Sequence, residues 1–292
     1  MRQATPALKP WPYYRAVDLW QRARIGARPR SRAAERERPG VRILAYHRVA
    51  DARDPLAVSP EAFRRHMEAL LEAGLRVLRL DDALDVLARP VGERCVCVTF
   101  DDGYRDTLEH AAPVLRELGI PATVFLPTAI IDGSGSFDWY RRAPPRALSW
   151  DEVGALIADG LIDVQSHSRT HPRLPALDET EVREELVASK ADIERRVPYT
   201  VSSFCYPAGL YSPRDARLVL EAGYRGAVTC RAGVNRGGEG LAELRRTLVG
   251  WGVDTARFRA LLAGRLDRPS RLTEAMQRRR ADARRPDADA AP

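Results

Sequence analysis

The sequence predicts an α/β fold: a parallel sheet covered by helices, whose seven or eight strands point to a (β/α) barrel, with an open sheet as the alternative. Two observations lead there. Strand-like apolar runs recur at 41–47, 75–80, 94–100, 122–127, 161–166, 201–206, 225–230 and 246–251. Helical patterns with start and stop residues fill many of the intervals, and strand–helix alternation with short links is the signature of parallel pairing.

Taken in order, residues 1–40 read as a basic extension that Pro39-Gly40 breaks off. Residues 41–266 form the domain of alternating strands and helices, and 267–292 a tail rich in Arg, Asp and Ala. Ser59-Pro60 opens the first helix of the alternation, with proline in the first turn where its missing N–H costs nothing, and Ala73-Gly74 ends it. A helix spans about 104–118, and Pro113 inside it predicts a kink or two shorter pieces. Ser149-Trp150-Asp151-Glu152 is a capping box. A long charged helix follows over about 179–196. Ser212-Pro213-Arg214-Asp215 starts another, and Asp254 or Thr255 starts the last, which runs to Gly264. The segment 131–148 is long for a loop and is expected to be a lid.

Composition narrows the function. The chain has 292 residues, 45% hydrophobic, and a formal net charge of +7, which admits nucleic acid, a membrane surface or an acidic substrate as partners. Lys9 and Lys190 are its only lysines, and much of the arginine excess lies in the two ends, so solvated tails are the expectation rather than a nucleic-acid interface. No stretch approaches a membrane span and no secretory leader is visible, so the expected location is the cytoplasm. Trp11, Tyr13, Tyr14, Val17 and Trp20 share one helical face, expected to pack on the domain or else to touch a membrane surface. Cys95, Cys97, Cys205 and Cys230 sit in apolar runs and read as reduced core residues.

The chemistry concentrates after three strand-like runs. Cys95-Val96-Cys97-Val98-Thr99-Phe100 ends in Asp101-Asp102-Gly103, and Ile162-Asp163-Val164-Gln165-Ser166 ends in His167-Ser168-Arg169-Thr170-His171. The run at 201–206 ends at Pro207. Barrels gather catalytic groups at the C-terminal ends of their strands. One carboxylate and two imidazoles suit a divalent transition metal, and the second carboxylate is left as a base. These residues imply a metal-dependent hydrolase. His66 and His110 fall in charged helical patterns and are expected at the surface, whereas His47 ends the first strand.

Thr99-Phe100-Asp101-Asp102-Gly103, Ser166-His167-x-x-x-His171 and Phe204-x-x-Pro207-x-Gly209 occur in the order seen in the polysaccharide deacetylases, the carbohydrate esterases related to chitin and peptidoglycan deacetylases. The chain resembles that family over about 41–251. The resemblance implies a distorted (β/α) barrel that hydrolyses an acetamido group on an amino sugar or glycan. It implies Asp101 as general base, and Asp102, His167 and His171 as ligands of a divalent metal, typically zinc. It implies a wall formed by Tyr206, Pro207 and Gly209, with the Tyr206 N–H as oxyanion donor.

Two positions depart from the common pattern: Cys205 stands where many relatives carry arginine, and no histidine follows His171. Both departures resemble the branch that deacetylates poly-N-acetylglucosamine, which begins with a strand like Tyr46-His47-Arg48-Val49. That branch implies His47 as the acid. Leu244-x-Arg246 resembles its late arginine, with Arg246 either supplying the missing charge near Asp101 or lying solvated at a strand end. Trp139, Tyr140 and Trp251 are candidates to stack on a sugar, or are plain core and loop aromatics. The alternatives are a deacylase of a small intracellular amide or of a lipid- or nucleotide-linked sugar, and a sugar-binding barrel without catalysis.

Overall fold

A computed structural model describes residues 7–8, 39–238 and 240–265. The basic extension with its aromatic face, and the tail beyond 266, lie outside the described residues apart from a two-residue strand, Ala7–Leu8, paired with Tyr140–Arg142.

Eight parallel strands build the sheet: β1 (Gly40–Tyr46), β2 (Arg76–Val77), β3 (Arg94–Phe100), β4 (Ala122–Leu126), β5 (Ile162–Ser166), β6 (Ser203–Cys205), β7 (Gly226–Val228) and β8 (Arg246–Leu248). Their spatial order is β7-β6-β5-β4-β3-β1-β8. β2 and β4 share one edge of β3, β2 at Cys95 and Val96 and β4 from Val98 onward. A parallel bridge between Val228 and Leu244, just before β8, brings the two ends together. The sheet is therefore nearly closed, which is the (β/α) barrel the alternation predicts.

β1 and β3 are as long as their apolar runs, and the other strands are shorter. In the last three, the residues beyond the ladder turn into loops that form the mouth of the barrel. β1 and the stretch Cys95–Phe100 of β3 are buried throughout, as both faces of a helix-covered parallel sheet must be. Each Val, Ile, Leu or Phe buried in this way contributes roughly 1.5–3 kcal/mol of transfer free energy.

One apolar cluster fills the inside and floor. Val41, Ile43, Cys95, Cys97, Phe125, Cys205 and Val228 meet Leu80, Ala83, Leu84 and Leu87 of helix α1 (Leu80–Leu87). The cysteines are all free. A larger cluster lies between the outer sheet face and the helices α2 (Ala112–Leu118), α3 (Trp150–Ile157), α4 (Glu179–Glu194) and α5 (Pro213–Glu221).

The capping signals act as expected. Ser59 accepts the Ala62 N–H, and Ser149–Glu152 and Ser212–Asp215 are reciprocal boxes. Pro113 divides its segment: a π-helical turn, Thr107–Ala111, precedes α2, with proline in the first turn where it needs no N–H.

His66 corrects an expectation, being fully buried rather than at the surface. It stacks on Phe258 at 4.2 Å and bonds the Val253 carbonyl and the Tyr46 hydroxyl. Its helix, Pro60–Glu72, carries the charges on the opposite face. Segment 131–148 also differs from an open lid. Phe137, Trp139 and Tyr140 pack with Tyr104, Ile130 and Leu56 in a small core of their own. No described helix is long and apolar enough to cross a membrane.

Candidate metal centre and active site

The site is built where strands stop. Beyond β3, Asp102 turns left-handed (φ 71°) and Gly103 follows at φ 64°. A Cβ on Gly103 would come within 2.8 Å of Ile131 and Leu126, so the turn demands glycine. Ser168 (φ 63°) and His171 (φ 59°) reverse the chain after β5, and Ala208 (φ 54°) does so after β6. Four of the five non-glycine residues with positive φ among the described residues therefore lie at the mouth. Such backbone costs free energy and persists where surrounding contacts enforce it. Those contacts are visible: the Ser168 hydroxyl accepts the His171 N–H at 3.0 Å, and Glu185 accepts the N–H groups of Arg169 and Thr170 at 2.8 Å each.

These turns bring Asp102, His167 and His171 together. Asp102 Oδ1 lies 3.3 Å from His167 Nε2 and 3.5 Å from His171 Nε2. His167 Nδ1 is 2.7 Å from the Cys205 carbonyl, which has only lone pairs to offer. The proton therefore sits on Nδ1, and Nε2 presents its lone pair to the site, the usual arrangement for a ligating imidazole. Burial first, then the charge of His167, pulls the His171 pKa down to about 4, so this ring is neutral at pH 7. Two imidazoles and a carboxylate form a donor set that fits a borderline divalent ion such as zinc.

Asp101, His167 and Cys205 also converge. They are the poorer set. Burial pushes the Cys205 thiol well up, and a guanidinium already occupies Asp101.

That guanidinium belongs to Arg246. It is fully buried, and its Nη1 and Nη2 donate to the two Asp101 oxygens at 2.7 Å each. Its Nε donates to the Thr229 carbonyl at 2.9 Å, and Nη2 lies 3.1 Å from Cys205 Sγ. Of the two readings the sequence left open, the geometry is that of the charge partner and not of a solvated strand end. Burial would raise the Asp101 pKa, but the charge and hydrogen bonds of Arg246 outweigh it and hold the carboxyl well below its ordinary range. His47 Nε2 approaches Asp101 Oδ2 to 3.9 Å. Asp101 and His47 thus face one another beside the Asp102 cluster.

The wall after β6 is a tight turn, in which a Cβ on Gly209 would meet Cys230 at 2.5 Å. The Tyr206 N–H is committed to the sheet, donating to the Val228 carbonyl at 3.2 Å, and the Tyr206 hydroxyl donates to the Ala242 carbonyl at 2.9 Å. The expected oxyanion donor is thus engaged elsewhere, because β6 continues its ladder one residue further than the motif alone conveys. Trp139 also corrects its expectation as a sugar platform. It is buried against the His171 ring, 4.5 Å between centroids. Trp251, by contrast, is 48% exposed on the turn that follows β8.

One group escaped the sequence reading. Arg48 bridges Asp106 and Asp54 at 2.8 Å each, and the Tyr140 hydroxyl donates to Asp54 at 2.7 Å. No motif spacing links these four residues. Only the position of Arg48, next to His47 at the end of β1, hinted that it would be buried.

Residues 88–227 match the model of the polysaccharide deacetylase family. The chain carries a polysaccharide deacetylase domain. The match includes Asp101, Asp102, His167, His171 and the Tyr206–Gly209 turn, while His47 and Arg246 flank it. The chain is 27% identical over 222 residues to YxkH of Bacillus subtilis (strain 168), assigned by name to the polysaccharide deacetylases, with 75% of each chain covered. Its barrel is similar to that of the Streptococcus pyogenes deacetylase PplD in complex with acetate (TM-score 0.67, 20% identity, 79% of this chain and 100% of that one). It is also similar to IcaB from Ammonifex degensii (TM-score 0.66, 24% identity, 77% and 97%). At these identities the two structures speak for the shared fold of the deacetylase domain.

Proposed function

We propose that this chain is a metal-dependent N-deacetylase that removes acetyl groups from an N-acetylated amino sugar within a glycan, giving a free amine and acetate. The observation that carries this reading is the approach of two imidazole Nε2 atoms to one carboxylate oxygen, beside a second carboxylate held ionised by Arg246. The Tyr46-His47-Arg48-Val49 strand and the buried late arginine support a substrate of the poly-N-acetylglucosamine type.

Asp102, His167 and His171 would hold the ion. A divalent metal such as zinc would supply Lewis acidity that polarises the amide carbonyl and eases deprotonation of water. Asp101 takes the proton from the attacking water. Arg246 holds its carboxyl well below the usual range, so it is the anion at pH 7 and releases the proton readily after each transfer. The water oxygen adds to the carbonyl carbon, the C–N bond breaks, and His47 gives the departing nitrogen its proton. Arg246 fixes the orientation of Asp101 through both oxygens. For the developing oxyanion we assign the Ala208 N–H in place of Tyr206, since it takes no partner among the described residues. Pro207 and Gly209 set that turn, and Trp251 offers an exposed face to a neighbouring sugar ring.

The test measures bound metal and acetate release from N-acetylglucosamine oligomers. Asp101→Asn should keep the metal and lose turnover, whereas His167→Ala should lose both. His47→Ala with wild-type turnover would remove that residue as the acid. Full activity after exhaustive chelation would sink the metal-dependent reading altogether.

A further inference from the structure

The two candidate imidazole ligands are held in different ways. His167 is fixed by a hydrogen bond from Nδ1 to the Cys205 carbonyl at 2.7 Å. His171 has no such bond from its other ring nitrogen among the described residues, and it sits on left-handed backbone at φ 59°. A histidine ligand without an outer hydrogen bond is free to rotate about its side-chain torsions unless packing stops it.

Packing does stop it here. The Trp139 indole lies against the His171 ring, 4.5 Å between centroids with the planes at 39°. The His167 ring meets the same imidazole edge-on at 4.8 Å. Trp139 is itself immobilised. Its Nε1 donates to the Tyr104 hydroxyl at 3.0 Å, and Phe137 packs edge-on against it at 5.2 Å. The next residue, Tyr140, anchors the segment by donating to Asp54 at 2.7 Å. Asp54 belongs to the buried Asp54–Arg48–Asp106 cluster, in which Asp106 also accepts the Val49 N–H at 3.1 Å. Except for His171, which is half-buried, all of these side chains are buried, so the chain of contacts is rigid rather than a surface coincidence.

We infer that Trp139 is a positioning residue for the metal centre: it orients the His171 imidazole by stacking, as the Cys205 carbonyl orients His167 by hydrogen bonding. The segment 131–148 is then part of the metal site's outer support, with Tyr104, Tyr140 and the Arg48 cluster holding the indole in place. This inference rests on the metal reading proposed above.

The experiment strips metal from the full-length protein and titrates zinc against a chromogenic chelator. Cobalt(II) absorption reads the ligand geometry in parallel. Trp139→Ala should raise the zinc dissociation constant by about 10- to 100-fold, the range seen when outer-shell support is lost. It should also alter the cobalt spectrum. Trp139→Phe, which keeps an aromatic face, should restore most of the affinity. Tyr104→Phe, which removes only the hydroxyl that takes the indole N–H, should give a smaller loss in the same direction. Wild-type zinc affinity and an unchanged cobalt spectrum in Trp139→Ala would overturn the inference while leaving the metal reading intact. If Trp139→Ala does not fold, wild-type affinity in both Tyr104→Phe and Tyr140→Phe would overturn it instead. Wild-type protein that takes up no zinc overturns the metal reading, and this inference with it.

Discussion

Asp101 at the mouth of the barrel and Asp163 near its floor are both carried by strands and both nearly excluded from solvent. Burial acts on the two carboxyls in the same direction, disfavouring the charge. At Asp163 burial wins and raises the pKa. Its partners are neutral: the Thr123 hydroxyl at 2.8 Å and the Gln165 amide at 2.9 Å. At Asp101 a fully buried guanidinium reverses the outcome. The same desolvation thus meets an anion held by a guanidinium at one end, and at the other a hydrogen-bonded carboxyl whose ionisation it disfavours. What separates them is one cation, delivered by β8 across the barrel.

The largest effect should come from removing the charge that this arrangement protects. Asp101→Asn should lower turnover by about 10²- to 10⁴-fold, the usual contribution of a general base. Acetate release under saturating substrate reads it, and the folded stability should change far less than turnover. A variant that loses both equally would mean that Asp101 is mainly a structural partner of Arg246.

Removing the cation instead should turn Asp101 into a second Asp163. Arg246→Met leaves a buried, unpaired carboxylate and should cost about 3–5 kcal/mol in urea unfolding. In the wild type, Asp101 stabilises the fold fully above its ordinary value of 3.8 and loses that contribution as pH falls toward its depressed native pKa. Without Arg246 the unopposed burial should reverse the sign, and the acid limb of the rate profile should move to higher pH. The double change Asp101→Asn with Arg246→Met should recover much of the lost stability, and its failure to do so would show that the pair is not the source of the coupling.

Buried imidazoles show burial prevailing over the carboxylates near them. Burial pulls His66 down from 6.5 to about 4, only partly offset by its bond to the Val253 carbonyl. The native state keeps this ring neutral, while the unfolded chain takes up a proton below pH 6.5. Its contribution is therefore complete above that value and is lost as pH falls to about 4, a total of about 3 kcal/mol. In metal-free protein His171 titrates over the same range, so the informative measurement is a difference. His66→Gln should flatten the slope of unfolding free energy between pH 6.5 and 4 by about one proton. An unchanged slope would mean that His66 is protonated in the fold.

Much of the mouth was legible in the sequence because its residues are local. Asp101, Asp102, His167 and His171 all lie within five residues of a strand end, and strand ends announce themselves through apolar runs and turn residues. Asp101 and Arg246 are 145 positions apart, and only closure of the barrel brings β8 to β1 and onward to β3. The sequence could therefore name Arg246 but not choose between its two fates. Tyr206 was misjudged because motif position says which residue stands at a turn, not which N–H the ladder has consumed. The Arg48–Asp54–Asp106–Tyr140 cluster gave no signal beyond the place of Arg48 after β1, since its members share no periodicity.

The smallest effect should be at the floor. Gln165 donates to Asp163 while its carbonyl accepts the N–H groups of Ser202 and Ser203 at 2.9 Å each, so its orientation is fixed. Asp163→Asn keeps the acceptor for Thr123 but sets one amide against another at Gln165. It also removes the cost of ionising a buried acid. The raised pKa means that the native state holds its proton above 3.8, where the unfolded chain has lost it, so this group subtracts stability as pH rises. The two changes oppose one another, and the net should stay within about 1 kcal/mol at pH 7, the scale of a single hydrogen bond. The downward slope that Asp163 contributes above pH 3.8 should vanish in the variant. A loss as large as that of Arg246→Met would mean that the charge of Asp163 is held by a cation as that of Asp101 is, and that the two ends of the barrel follow one design.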